Sequence, residues 1–577
     1  MSSINVVDSK TRSFIFHLQK YVQKDRKTVI NHIKTAFIFA ERIIYRIIMN
    51  LQRLLHVFSK KKSFFLISCI NILCLSQFPF IHSDESWLGG LSRAMMHRLA
   101  PATTEPFFDL LPREPHAIKL LFHFLQMPFI LIFGYSPFSL RLLSLAAGLL
   151  GLILLYRLLS RLFSPPLPLF FTALMAVDIQ FIYASHFARQ EIILFSVLLS
   201  ALLLFVRGDT EENRRFFRLA ALAVGLSIGL HPNSFLISLP PAAFHLVRCA
   251  FSPGRRSLRD LAEYLGILAL CAGLFVALSY AMDPHFLSHY AEAGERVEVT
   301  LPLYIKFFRF PDFYLKLFYR ISGTYYTPGI KLQFFLFSAA LLLAVPAFIL
   351  DRKNRKLIAS LLLSIVFINL GTLVLGKYSQ PSIILHFPLY YLLFACLVDA
   401  LPVFSQIDLK RLILIGLFTA TVISTSANLL QEFHLLPPKN PTSFESYTSY
   451  REKIRRFVPA GAPVLANLNA HFAFDCCRLH DYRNLAYLKE AGLSFADYIE
   501  KNEIEYIIYP EEMDFIYRRR PVWNILYGNV AAYYEEMKDF IDGRCEETGR
   551  FASPTYGMRI TRYSGQKPWL VRIYRVE

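Results

Sequence analysis

Two adjacent carboxylates, Asp84 and Glu85, lie three residues beyond an apolar run at 64–81. An acid that enters hydrocarbon costs about 3 kcal/mol or more, so an acid pair at the mouth of an apolar helix suggests function. At a membrane surface a carboxylate can act as a general base, taking the proton of an attacking hydroxyl. The competing reading is an ordinary interfacial acidic pair. Residues 184–191 read ASHFARQE. Arg189 there can pair with a phosphate, and Glu191 can orient an acceptor or a catalytic partner; alternatively the two form a local ion pair that caps the next helix. His231, in His231-Pro232-Asn233-Ser234, can donate to a phosphate oxygen or belong to a polar-capped turn. Lys377 is a point-charge partner for phosphate, with Tyr378 beside it; snorkelling at the interface is the other reading.

The elements that hold these residues follow from composition. The chain has 577 residues, 54% hydrophobic and 18% charged, with a mean hydropathy of +0.38. A soluble domain has roughly 45–50% apolar and about 25% charged residues. The balance predicts a polytopic α-helical membrane protein. Apolar runs long enough for spans occur at 64–81, 138–158, 164–183, 191–206, 219–231, 234–248, 261–281, 332–350, 357–375, 384–403 and 412–430, about eleven in all. The run at 118–133 contains Lys119, His123 and Gln126 and is expected to be an amphipathic helix on the outer surface. Counting it as a span would invert every later joint.

Charge sets the expected orientation. Alternate joints carry Arg157 and Arg161; Arg207, Arg214, Arg215 and Arg218; Arg248, Arg255, Arg256 and Arg259; Arg352, Lys353, Arg355 and Lys356; and Lys410 and Arg411. The intervening short joints carry only Arg189 and Lys377. The positive-inside rule then puts the N-terminus in the cytoplasm and the C-terminus outside. All four candidate motifs fall on the outer face, which also carries the two long outer segments 82–137 and 283–331. The second of these is rich in aromatics, among them Tyr304, Phe313, Tyr314, Tyr325 and Tyr326.

The net charge of +19 divides unevenly. Residues 1–62 hold 13 Lys/Arg against three acids and read as a basic cytoplasmic or interfacial amphipathic helix on anionic lipid; no signal-peptide pattern is present. Residues 431–577 hold 20 basic and 20 acidic residues. Pieces at 463–466, 504–509 and 570–576 read as strands and 495–501 as a helix, which predicts a C-terminal extracytoplasmic α/β domain. The charge therefore reports membrane sidedness, and no nucleic-acid partner is expected. Cys476 or Cys477 could pair with Cys545 if that compartment is oxidising. No Walker loop or His-Glu-x-x-His occurs, which argues against an ATP-driven pump or an intramembrane metalloprotease. Few charges interrupt the spans, which argues against an ion-coupled transporter.

The order of the motifs resembles a known family. Asp84-Glu85 follows the first span, then come a long outer loop, LIFGYSPFSLR at 131–141 leading into a span, SHFARQE, and GLHP at 229–232. This is similar to the polyprenyl-phosphate-sugar-dependent transferases of glycosyltransferase family 39. Those belong to the C-type glycosyltransferase superfamily, with the protein O-mannosyltransferases and the lipid A aminoarabinose transferases. The resemblance covers about residues 64–245 and is topological beyond. It implies a transferase that moves a sugar from a polyprenyl-phosphate donor to a lipid, glycan or protein acceptor at the outer face, in a bacterial inner membrane. It implies Asp84 as catalytic base, with Glu85 beside it, and Glu191 as the second acid, a position often held by Asp in relatives. Arg189, His231 and Lys377 are the implied holders of the donor phosphate. Relatives differ in metal requirement, so a divalent cofactor stays open. Where relatives carry a Pro-Pro-Leu-like stretch, this chain has Arg113-Glu114-Pro115-His116, which puts acceptor recognition in question. A flippase or transporter of lipid-linked glycans is the competing function, and a membrane scaffold that displays the α/β domain is a third.

Overall fold

The apolar runs fold as helices whose ends are set by caps and by charge. In the computed structural model of the chain, the described residues are 75–101, 108–110, 114–295, 302–320, 323–375, 380–401, 409–432, 445–474, 478–563 and 568–577. They lie within the unit Ile70–Glu577. The basic helix expected in 1–62 lies outside them. The chain is a mostly helical integral-membrane protein. Among the described residues eight helices are long and apolar enough to cross a bilayer, or nine if one bent pair counts as a span.

In chain order α1 is Ser83–Arg98, α2 Leu120–Phe133 and α3 Pro137–Leu162. The bent pair is α4 (Leu167–Ala176) and α5 (Ile179–His186), at 60°. Then come α6 (Glu191–Thr210), α7 (Arg214–Leu226), α8 (Ser234–Phe251) and α9 (Arg255–Met282). A stretch of short helices leads to α10 (Lys331–Leu350), α11 (Arg355–Leu375), α12 (Phe387–Ala400) and α13 (Leu409–Glu432).

Three expected spans differ from the sequence reading. Residues 75–81 are turns and extended chain, not the end of a helix. Pro79 removes a backbone donor and disfavours helix at Phe78. The run 164–183 breaks at Val177-Asp178, where the Asp178 carboxylate caps α5 by accepting the Gln180 N–H at 2.9 Å. The run 219–231 is the 13-residue α7 plus a 3-10 turn, Ser227–Gly229. The non-spanning assignment of 118–133 agrees with α2, whose 14 residues extend about 21 Å against a hydrocarbon core of about 30 Å.

The arginine-bearing joints meet at one end of the bundle. Arg161 bonds Glu211 at 2.9 Å, Arg248 bonds Asp209 at 2.9 Å and Asp260 at 2.7 Å, Lys356 bonds Asp209 at 2.8 Å, and Lys353 bonds Asp399 at 3.1 Å. At the start of α3, Arg141 bonds Glu85. Twenty residues of helix separate Arg141 from Arg161, about 30 Å at 1.5 Å per residue. The acid pair and the arginine joints therefore stand at opposite ends.

The C-terminal region carries α14 (Tyr447–Arg455), α15 (Phe495–Lys501) and five strands: β1 (Val464–Ala466), β2 (Leu479–Asp481), β3 (Tyr506–Pro510), β4 (Cys545–Ser553) and β5 (Trp569–Val576). The sheet order is β2-β1-β3-β5-β4. β1 is parallel to β2 and β3, while β5 is antiparallel to β3 and β4. The three expected strands and the helix 495–501 are present; β2 and β4 were not expected. β2 has three residues, and β4 reads CEETGRFAS with a bulge at Glu547/Gly549, so neither carries an apolar strand pattern. Tyr447, Val464, Phe472 and Tyr556 pack in one core with Ile81, Leu140 and Ala188, so the sheet region is seated on the acid-pair end of the bundle. The proposed Cys476 or Cys477 pairing falls on residues outside those described.

Candidate functional site

Asp84 and Glu85 both belong to the first turn of α1, and the turn is locked by its own polar groups. The Glu85 carboxylate accepts the His82 N–H at 3.1 Å, and His82 Nδ1 accepts the Asp84 N–H at 3.0 Å. With Nδ1 an acceptor, the ring proton is on Nε2, which donates to the Thr324 carbonyl at 2.8 Å. Burial lowers the His82 pKa, so the ring is neutral at pH 7.

The two acids have different surroundings. Glu85 and Arg141 are both fully buried. Arg141 Nε and Nη2 donate to Glu85 at 2.7 and 2.8 Å, and the Ala188 N–H donates at 3.0 Å. With the His82 N–H, each Glu85 oxygen accepts two hydrogen bonds. Asp84 is 20% exposed. Its Oδ2 accepts from Arg189 Nη1 and, at 2.9 Å, from the Tyr325 hydroxyl. Burial alone would raise its pKa, but the charges around it and the Tyr325 hydrogen bond hold it well below the usual carboxylate range. Since the His82 ring is neutral, Arg189 is the chief cation responsible, with Arg483 adding to it. Arg189 also donates to Tyr325 at 3.0 Å and to Glu191 at 3.2 Å, and Glu191 is 2% exposed. Glu191 opens α6, so it orients Arg189 from behind and also favours the helix start.

Asp84, Arg189 and His231 line one cavity of about 100 Å³. Its other walls are Trp87, Leu88, Leu91 and Met95 from α1, then His116, Ile118, Lys119, Leu120, His123 and Gln190. The three candidate motifs from the first outer segment, the 184–191 joint and the 231–234 turn thus converge. His231 Nδ1 accepts the Asn233 N–H at 3.0 Å, and the Asn233 amide donates to Ser382 at 3.0 Å. Lys377 and Tyr378 lie outside the described residues. Among those described, no group of three His, Cys, Asp or Glu side chains could hold a metal ion.

Sequence reasoning missed Tyr325, Arg141 and Lys119. Tyr325 was one of several aromatics in a long segment, with nothing to mark it out. Arg141 lies four residues inside an apolar span, and a lone basic residue there calls for a buried acid partner; that signal was available. Lys119 adopts φ +77° at the start of α2, a left-handed conformation that side-chain-bearing residues seldom take. His116 closes the stretch 113–116, where this chain lacks a Pro-Pro-Leu-like sequence.

Residues 115–280 match the family model described as dolichyl-phosphate-mannose-protein mannosyltransferase. This bears out the resemblance to membrane glycosyltransferases of the C-type superfamily. The matched segment holds Lys119, Arg141, Arg189, Glu191 and His231, while Asp84 and Glu85 precede it. No curated protein matches the chain. Among solved structures, the chain is similar to ArnT from Cupriavidus metallidurans bound to undecaprenyl phosphate, with 13% identity and a TM-score of 0.48 over 78% of this chain and 95% of that one. It is also similar to the Archaeoglobus fulgidus oligosaccharyltransferase in complex with Zn and sulfate, with 16% identity and a TM-score of 0.46 over 80% and 69%. A third is AglB of that organism with an inhibitory peptide and a dolichol-phosphate, with 15% identity and a TM-score of 0.44 over 81% and 71%.

Proposed function

We propose that this chain is an integral-membrane glycosyltransferase that moves a sugar from a polyprenyl-phosphate donor to an acceptor hydroxyl or amine, with Asp84 as general base. The observation that carries the reading is Asp84 itself. It is the less buried member of the acid pair, it is ionised, and it opens on a cavity that Lys119, Arg189 and His231 also line.

In the reaction the acceptor oxygen attacks the anomeric carbon and gives its proton to Asp84. The new glycosidic bond forms as the bond between the anomeric carbon and the phosphate oxygen breaks. The leaving polyprenyl phosphate takes the bonding pair, and Lys119 and Arg189 stabilise its developing charge. Glu85 positions Asp84 through the α1 cap, and Glu191 positions Arg189. The apolar α1 wall of the cavity suits the lipid end of the donor. The arginine joints at the far end of the bundle support an outer-face location for the site, by the positive-inside rule. The N-terminus is then cytoplasmic and the domain 431–577 extracytoplasmic, in a bacterial inner membrane.

The test is transfer by the purified full chain from a polyprenyl-phosphate sugar, read as a new glycosidic bond by mass spectrometry. Asp84→Asn keeps expression and fold but loses transfer by at least about 100-fold, the scale of general-base catalysis. Full activity in that variant removes the base assignment. Lipid movement without bond formation in the wild type would make the chain a transporter.

A further inference from the structure

At the end of the bundle opposite Asp84, the starts of α7 and α9 enclose a cleft of about 810 Å³ lined by Arg214, Arg215, Arg218, Arg255, Arg256 and Arg259, with Asn213 and the carboxylates of Glu211 and Glu212 also on its wall. Most of these charges are already spent. Arg214 bonds Asp260 at 2.8 Å and also Glu263; Arg218 and Arg259 bond Glu263 at 3.0 and 3.4 Å; Arg256 bonds Glu212 at 2.9 Å. Arg215 and Arg255 are exposed and, among the described residues, make no ion pair. Each stands in the first turn of its helix. The α9 start has Gly254 as its N-cap, with no side-chain cap hydrogen bond. The α7 start is capped by the Asn213 side chain, which accepts the Arg215 N–H at 3.0 Å, so two guanidinium groups and the uncapped start of α9, which carries roughly half a positive charge, face one cleft.

The same two helices turn apolar at once. Leu219 and Leu222 on α7 and Leu258 and Leu265 on α9 are 49, 42, 60 and 50% exposed. A free anion would use the arginines and leave those leucines untouched. A molecule with a phosphate and acyl chains satisfies both. We infer that this cleft binds the phosphate head group of an acidic phospholipid, with its chains along the leucines of α7 and α9.

The test uses the full chain, delipidated in detergent and titrated in native mass spectrometry with phosphatidylglycerol, phosphatidylcholine or inorganic phosphate. Phosphatidylglycerol binds the wild type about tenfold more tightly than phosphatidylcholine. The double variant R215Q/R255Q loses that preference, and R352Q, altered at the same end but away from the cleft, retains it. Both target arginines are exposed and unpaired, so the variant keeps its fold; if the pair proves unstable, the single variants carry the same comparison. Unchanged preference in the variants, or equal loss in R352Q, overturns the site. Displacement of phosphatidylglycerol by millimolar inorganic phosphate overturns the lipid assignment.

Discussion

Asp84 is held by two donors of different kinds, and their removal separates geometry from charge. Arg189 supplies a full charge, while Tyr325 supplies one hydrogen bond at 2.9 Å and stacks on His82 with ring centroids 4.5 Å apart. The folded pKa of Asp84 is depressed, so its pairing stabilises the fold above the unfolded value of about 3.9 and fades as the pH falls below it. The carboxylate is then ionised throughout the neutral range, and the acid limb of kcat/KM that belongs to it lies below about pH 4. Tyr325→Phe keeps the stacked ring but removes the bond. The pKa of Asp84 rises, and the acid limb moves to higher pH in a pH–rate profile; an unmoved limb would detach Tyr325 from the base. Glu85 predicts a different phenotype from its neighbour. Glu85→Ala leaves Arg141 buried without its partner, a loss of about 3–5 kcal/mol. A sharply lower thermal midpoint is expected for Glu85→Ala and a smaller drop for Asp84→Asn, which loses the stabilising Asp84 charge but leaves Arg189 paired with Glu191. Equal midpoints would end the division of labour between the two acids.

At the scale of elements, α2 shows why some of the site was legible and some was not. The polar residues that marked 118–133 as amphipathic point inward: His123 and Gln126 are buried, and both meet the Ser92 hydroxyl of α1, at 2.8 and 2.6 Å. Leu131 and Ile132 are 68 and 72% exposed. The pattern is that of a short helix with its polar stripe on the protein and its apolar side on lipid. A cysteine at Leu131 should therefore be reached by a bilayer-phase quencher when labelled, and one at Gln126 should be shielded; the reverse order would put the apolar side against protein. Periodicity located α2 but not which stripe faces inward, because that depends on α1, an element with no apolar signature. α1 in turn packs through Gly89, where an added Cβ would collide with the Leu140 side chain. That close approach brings Glu85 to Arg141, and no spacing in the chain announces it. The motifs themselves were readable because chemistry needs particular side chains at helix ends. Their convergence was not, since Asp84 and Tyr325 meet across 241 residues.

On the scale of the whole molecule, the C-terminal region is tied to the segments that hold Asp84, the proposed base. Tyr326 donates to the Thr555 carbonyl at 3.0 Å, Thr561 donates to the Tyr325 carbonyl at 3.0 Å, and Arg559 donates to Ser83 at 3.3 Å. Loop 553–561 therefore touches both chain segments that meet at Asp84, although none of its residues lines the cavity. The double variant Tyr326→Phe with Thr561→Val removes two of these bonds with little change in shape. Each is worth about 1 kcal/mol net, so together they give roughly a 30-fold loss if the binding energy is used to hold Tyr325 against Asp84. The loss should fall on kcat, with KM for the donor unchanged, because neither residue lines the cavity proposed for the donor. A variant with wild-type kcat would make the sheet region a passenger on the membrane body. A raised KM alone would move its role from the base to donor binding.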